Sequence, residues 1–196
     1  MNKNLNFYNE HSKQFIENTL NVDMSSLYGE FTAYLPKNAK VLDAGCGSGR
    51  DSLAFLKMGY NVSAFDASSE MVKYARQLTG ISVQQLRFDQ LELIHTYDGI
   101  WCCASLLHIP KNELLQSMKP LANALKWHGV WYISFKYGDT EREKDGRCFT
   151  DLNENSLYEL TSQLSDIEII STWVTADQRA NRDEKWLNAI LKKSTQ

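Results

Sequence analysis

The chain has 196 residues, a net charge of −3 and an isoelectric point near 5.8. That length suits one domain with a sizeable core, and the acidic balance argues against a broad nucleic-acid surface, which needs clustered excess Lys and Arg. The four cysteines, Cys46, Cys102, Cys103 and Cys148, form no Cys-x-x-Cys pair, so no metal site is expected. No run is long enough to cross a bilayer, and residues 1–6 lack the apolar core of a signal peptide, so a reduced cytoplasmic protein is expected.

Residues 8–34 read as helical, with Phe15, Ile16 and Leu20 on one stripe, and Pro36 and Asn38 end the segment. Residues 40–44 are a near-continuous apolar run, as in a parallel strand covered on both faces. Gly45, Gly47 and Gly49 follow at every second position, then a helix over 51–58 that Gly59 stops. A second strand spans 61–66, and Ser68 is an N-cap for a helix over 69–78. Strands follow at 82–87 and 99–103, and Pro110 opens a helix with Leu114, Leu115, Met118, Leu121, Ala122 and Leu125 on its apolar stripe. Residues 129–135 are β-prone, and Asp151-x-x-Glu154 reads as a capping box for a helix reaching Leu164. Two last strands, 167–174 and 185–191, flank a short polar connection with little room for a crossover helix, so that pair should be antiparallel. The pattern predicts an α/β fold of one domain over 1–196. It is a Rossmann-like, doubly wound seven-stranded sheet, mostly parallel with an antiparallel C-terminal strand and helices on both faces.

The glycine run carries the chemistry. Without Cβ atoms its backbone turns tightly and approaches a ligand closely, and the helix after it presents free N–H groups. A dinucleotide fingerprint is G-x-G-x-x-G, with its third glycine kept for helix packing. Here the glycines run G-x-G-x-G, Asp43 stands two residues before them, and Arg50 occupies the place of that third glycine. The Asp43-Ala44-Gly45-Cys46-Gly47-Ser48-Gly49 segment resembles motif I of the class I S-adenosylmethionine (SAM) methyltransferases. The stretch 45–52 is most similar to the small bacterial group of tellurite-resistance-type and other small-molecule methyltransferases. The antiparallel ending resembles that family too.

The resemblance implies SAM as cofactor and in-line methyl transfer to a small-molecule acceptor. It implies cofactor contacts from Asp43, Gly45, Gly47 and Gly49 around the methionyl part, and from Asp66 to the ribose hydroxyls. Asp66 also reads as a dipole partner for the following helix. Met71 reads as an adenine contact or as core, and Asp89 stands where an acidic side chain meets the adenine amino group, though no glycine precedes it. Ser105 lies in the segment expected under the sulfonium, and His108 beyond it is the candidate base, with a pKa near neutrality. Residues 1–38 read as a helical extension or lid, with Tyr8, His11 and Phe15 on one face. Two polar segments, 136–149 and 177–186, would flank the acceptor; Arg147, Arg179 and Arg182, with Tyr8, are the substrate candidates and would clamp an anion. Three other readings stay open: a SAM-binding module without turnover, an NAD-dependent oxidoreductase, opposed by Arg50 and the antiparallel ending, and an RNA methyltransferase, opposed by the acidic charge.

Overall fold

Val41 and Leu42 are neighbours on the first strand and both are buried, yet they belong to different cores. Successive strand residues point to opposite faces, so a strand apolar at every position requires cover on both sides. The computed structural model describes residues 3–177, 179 and 182–195. Its strands are β1 (Lys40–Ala44), β2 (Asn61–Asp66), β3 (Val83–Gln85), β4 (Tyr97–Cys102), β5 (Leu125–Lys136), β6 (Glu141–Lys144), β7 (Arg147–Thr150), β8 (Ile167–Ala176) and β9 (Lys185–Lys193). Its α-helices are α1 (Lys3–Glu10), α2 (Ser12–Thr19), α3 (Ser25–Thr32), α4 (Arg50–Lys57), α5 (Ser69–Thr79), α6 (Lys111–Ala124) and α7 (Glu154–Thr161).

Seven strands form one sheet in the order β3-β2-β1-β4-β5-β9-β8. Pairings among β1 to β5 are parallel, and β9 runs antiparallel to both of its neighbours. The predicted fold class and the antiparallel last pair are both present. On one face Leu114, Met118 and Leu121 of α6 cover Leu42, Ile100 and Trp131. On the other, Tyr28 and Phe31 of α3 and Phe55 of α4 pack with Val41, Trp101 and Tyr132, and the Trp101 and Tyr132 rings stack at 3.9 Å.

Four local expectations change. The single helix over 8–34 is three short ones: His11 leaves the helical region (φ −113°, ψ 19°) between α1 and α2, and Asp23 accepts the Ser25 N–H and turns the chain between α2 and α3. The helix near 154 is capped by Asn153 and Ser156, each bonding the other's backbone N–H, whereas Asp151 is buried on Arg142. The 129–135 strand begins earlier, at Leu125, straight out of α6. The polar segment after β5 holds the hairpin β6–β7, closed by Asp145 and Gly146, both at positive φ. Residues 178, 180 and 181 of the predicted polar connection lie outside the described residues.

Candidate active site

The carboxyl ends of β1, β2, β4 and β5 open onto one cavity of about 280 Å³. This is where an open parallel sheet binds its ligands. β1 leads into the glycine run, where the Gly45 and Cys46 N–H groups both donate to the Phe65 carbonyl and fold the loop over the end of β2. Gly45 has φ +77°, and a Cβ there would stand 2.6 Å from the Cβ of Ser105. Ser105 in turn donates its hydroxyl to the Ala44 carbonyl, so β4 and the loop lock together. A Cβ on Gly47 would project toward the cavity, with only Phe15 of α2 near it, at 3.8 Å.

Gly49 behaves differently. It does not line the cavity, and at φ +81° its missing Cβ admits Ala75 and Thr79 of α5 at 3.0 Å. It performs the helix-packing task of the third dinucleotide glycine. Asp43 lies beneath the loop, buried, accepting the Ser52 hydroxyl at 2.6 Å; burial and nearby Asp51 push its carboxyl up. It steadies the start of α4 and is not among the lining residues. Arg50 pairs with Asp51, which also receives Tyr28 and the Trp101 indole N–H, and donates to the Thr19 carbonyl of α2. A buried carboxylate is tolerable with that many donors.

Asp66, at the end of β2, lines the cavity. Its two oxygens accept the N–H groups of Gly47 and Ser68, both at 2.8 Å, against which burial raises its pKa. Met71, Leu86 and Phe88 form an apolar wall beside it. Asp89 is not brought to this cavity: it faces solvent in a pair with Arg87. Phe88, its neighbour, is the residue that sequence reasoning missed, since attention to charge passed over the ring that turns inward. The set suits an adenosyl group: a carboxylate for ribose hydroxyls, an apolar wall for adenine, and a side-chain-free loop that leaves room for the rest.

Across the cavity stand His108 and Tyr8. The Nδ1–H of His108 donates to the Cys148 carbonyl at 3.1 Å, and its Nε2 accepts the Tyr8 hydroxyl at 2.7 Å. Burial, with Arg147 and Lys136 nearby, pushes His108 down to about 4 against that carbonyl bond. The expected pKa near neutrality is therefore not found. Burial raises Tyr8, opposed by Arg147 and Arg179. Arg147, Arg179 and Arg182 all line the cavity, as does Lys136, which is buried on Glu184. Over everything lie α1 and α2: Asn4 binds backbone of His108 and Cys148, Asn9 receives the Ser68 hydroxyl, and Phe15 covers Gly47. Among the described residues no helix is long and apolar enough to cross a membrane.

Comparison with known proteins agrees with this geometry. A family profile described as a methyltransferase domain matches residues 41–129, from β1 through the start of β5. The putative methyltransferase YqeM of Bacillus subtilis is 30% identical over 138 residues, covering 64% of this chain and 54% of that protein. The ubiquinone biosynthesis O-methyltransferase of Xanthomonas axonopodis is 31% identical over 106 residues, 50% of this chain and 44% of that one. The chain thus aligns with about half the length of these relatives. Among solved structures, the 1,6-didemethyltoxoflavin-N1-methyltransferase of Burkholderia thailandensis, with S-adenosylhomocysteine bound, superposes with a TM-score of 0.79 at 21% identity. That likeness, over 97% of this chain and 85% of the other, is one of fold. Motif, strand order and sequence similarity converge: residues 41–129 match a methyltransferase domain, and all three support the class I S-adenosylmethionine-dependent methyltransferase family.

Proposed function

We propose that this chain transfers the methyl group of SAM to a small-molecule acceptor that bears an anionic group. The observation that carries the reading is one continuous cavity with the glycine loop and Asp66 at one side and Tyr8, His108 and the arginines at the other. When bound, SAM supplies an electrophilic methyl group on a cationic sulfur. Gly45 and Gly47 give its methionyl part a close backbone, Asp66 holds the ribose in a charge-assisted pair, and Met71 and Phe88 flank the adenine. Ser105 fixes the loop beneath. The α1–α2 lid excludes water and holds the partners in line; such positioning contributes roughly 7–11 kcal/mol to lowering a barrier. Arg147, Arg179 and Arg182 supply the field that draws an anion. Four free thiols accord with a reduced, cytoplasmic setting.

A thermal-shift comparison of SAM, S-adenosylhomocysteine and NAD tests the reading. At about a hundredfold excess over its dissociation constant, a true ligand adds roughly 2.7 kcal/mol to stability. The expected result is a rise of several degrees with both adenosyl compounds and none with NAD. A rise with NAD alone overturns the reading.

A further inference from the structure

This inference rests on the methyltransferase reading and narrows its acceptor. The three arginines at the cavity are not equivalent. Arg179 is neutralised by Asp177, which accepts its Nε at 2.9 Å and its Nη2 as well. Arg182 sits exposed at the mouth. Arg147 lies inside, with its side chain 14% exposed, and its Nε is buried with no hydrogen-bond partner. Its nearest carboxylate is that of solvent-exposed Asp145, 3.9 Å away. The guanidinium stands over the ring of Phe7 from α1 at 4.5 Å and that of Phe149 from β7 at 5.2 Å.

A desolvated charged donor without a partner is costly, and such a group marks where a ligand completes the set. The other charged groups inside the cavity lining have partners. Asp51 is held by Arg50, Tyr28 and Trp101; Asp66 by two backbone N–H groups; Lys136 by Glu184. Both ring nitrogens of His108 are engaged, so it offers an incoming anion no free N–H. One guanidinium therefore remains without a close carboxylate, beside the Tyr8 hydroxyl and bracketed by aromatic rings. That matches a single negative charge on a flat group, since the planar fork of Arg pairs bidentately with a carboxylate.

We infer that the acceptor is a monoanionic aromatic or other flat carboxylic acid whose carboxylate is seated on Arg147 between Phe7 and Phe149. Phe7 belongs to the lid, so the seat is complete only when α1 is docked. Arg147 is thus a specificity-determining residue, and the hairpin β6–β7 exists in part to carry it inward.

Calorimetry on the chain saturated with S-adenosylhomocysteine tests this, with benzoate as probe and benzamide as its neutral isostere. Benzoate should bind at least about tenfold more tightly than benzamide, the loss that follows from one hydrogen-bonded charge. Its binding heat should be equal in HEPES and Tris, because no proton is taken up. Arg147→Gln should weaken benzoate by about tenfold or more and leave S-adenosylhomocysteine affinity intact, with Arg147→Lys intermediate; intact nucleotide binding also reports that each variant is folded. Equal binding of benzoate and benzamide, undiminished benzoate binding in Arg147→Gln, or a buffer-dependent heat signalling protonation of His108 would each overturn the assignment. Failure of S-adenosylhomocysteine itself to bind would instead remove the methyltransferase reading beneath it.

Discussion

His108 illustrates how environment redefines a residue type. A carbonyl only accepts, so the bond to Cys148 requires the proton on Nδ1, and Nε2 is left to accept from Tyr8. With the ring held neutral and both nitrogens engaged, His108 orients Tyr8 more readily than it removes a proton from an acceptor. Its pKa falls from 6.5 to about 4 through burial, with Arg147 and Lys136 acting in the same direction. The unfolded chain therefore takes up a proton below pH 6.5 that the folded chain refuses until about pH 4. Stability contributed by the neutral ring is present above 6.5 and declines across that window as pH falls, by at most roughly 3 kcal/mol. Denaturation at stepped pH should show this slope in the wild type and lose it in His108→Asn. Ring nitrogen NMR at pH 7 should show the neutral Nδ1–H tautomer. Asp66 belongs to the same scale: Asp66→Ala should weaken SAM binding by roughly 1.5–3 kcal/mol, the worth of hydrogen bonds to a charged group, as calorimetry will read. Unchanged affinity would displace the ribose from this carboxylate.

At the scale of elements, the glycine loop is the joint between β1, β2 and β4. Gly45→Ala places a methyl 2.6 Å from Ser105 in addition to the cost of φ +77°. A loss of roughly 2–4 kcal/mol is expected, combining overpacking with a strained backbone. Against a Ser105→Gly background, which loses the bond to Ala44 by itself, Gly45→Ala should cost only the backbone part and not the overpacking part, measured by denaturant unfolding. The central strands and this loop were legible because hydrophobic runs, alternating glycines and Asp66 are all local signals. The lid was less so: Asn21, Val22 and Asp23 lie inside an otherwise helical pattern, and their turn depends on a side-chain bond to Ser25. The hairpin β6–β7 has a signal, Asp145-Gly146, but the strand before it is charged at every position and carries no apolar alternation. Asp151 looked like a helix cap because spacing alone does not reveal that Arg142 of the neighbouring strand claims it. Nothing local to Gly49 shows that α5 presses against it, so the motif alone points it at the cofactor.

For the molecule as a whole, α1 and α2 pack differently from α3. The tyrosine and phenylalanine of α3 belong to the core beside β1 and β4, whereas α1 and α2 touch the glycine loop, α5, the hairpin and His108. Removal of residues 3–19 should therefore leave a folded sheet that binds SAM more weakly, seen as retained cooperative unfolding with lower affinity in calorimetry. Full affinity in the truncated chain would make α1–α2 a packing element only.

The bonds from Asn4 to Cys148 and His108 span 144 and 104 residues of sequence. Closing so long a loop costs entropy before any contact offsets it, and contacts of that range form late in folding. The strands β1, β2 and β4 and the glycine loop need no such closure across the whole chain. The cover is thus expected to open before the sheet does. Opening at α1 would let ligands in and out while the sheet stays intact, and would expose this segment to proteases and hydrogen exchange before global unfolding. A ligand that bridges the loop and the hairpin lengthens the closed interval, so the lifetime of the N-terminal segment against cleavage reports site occupancy.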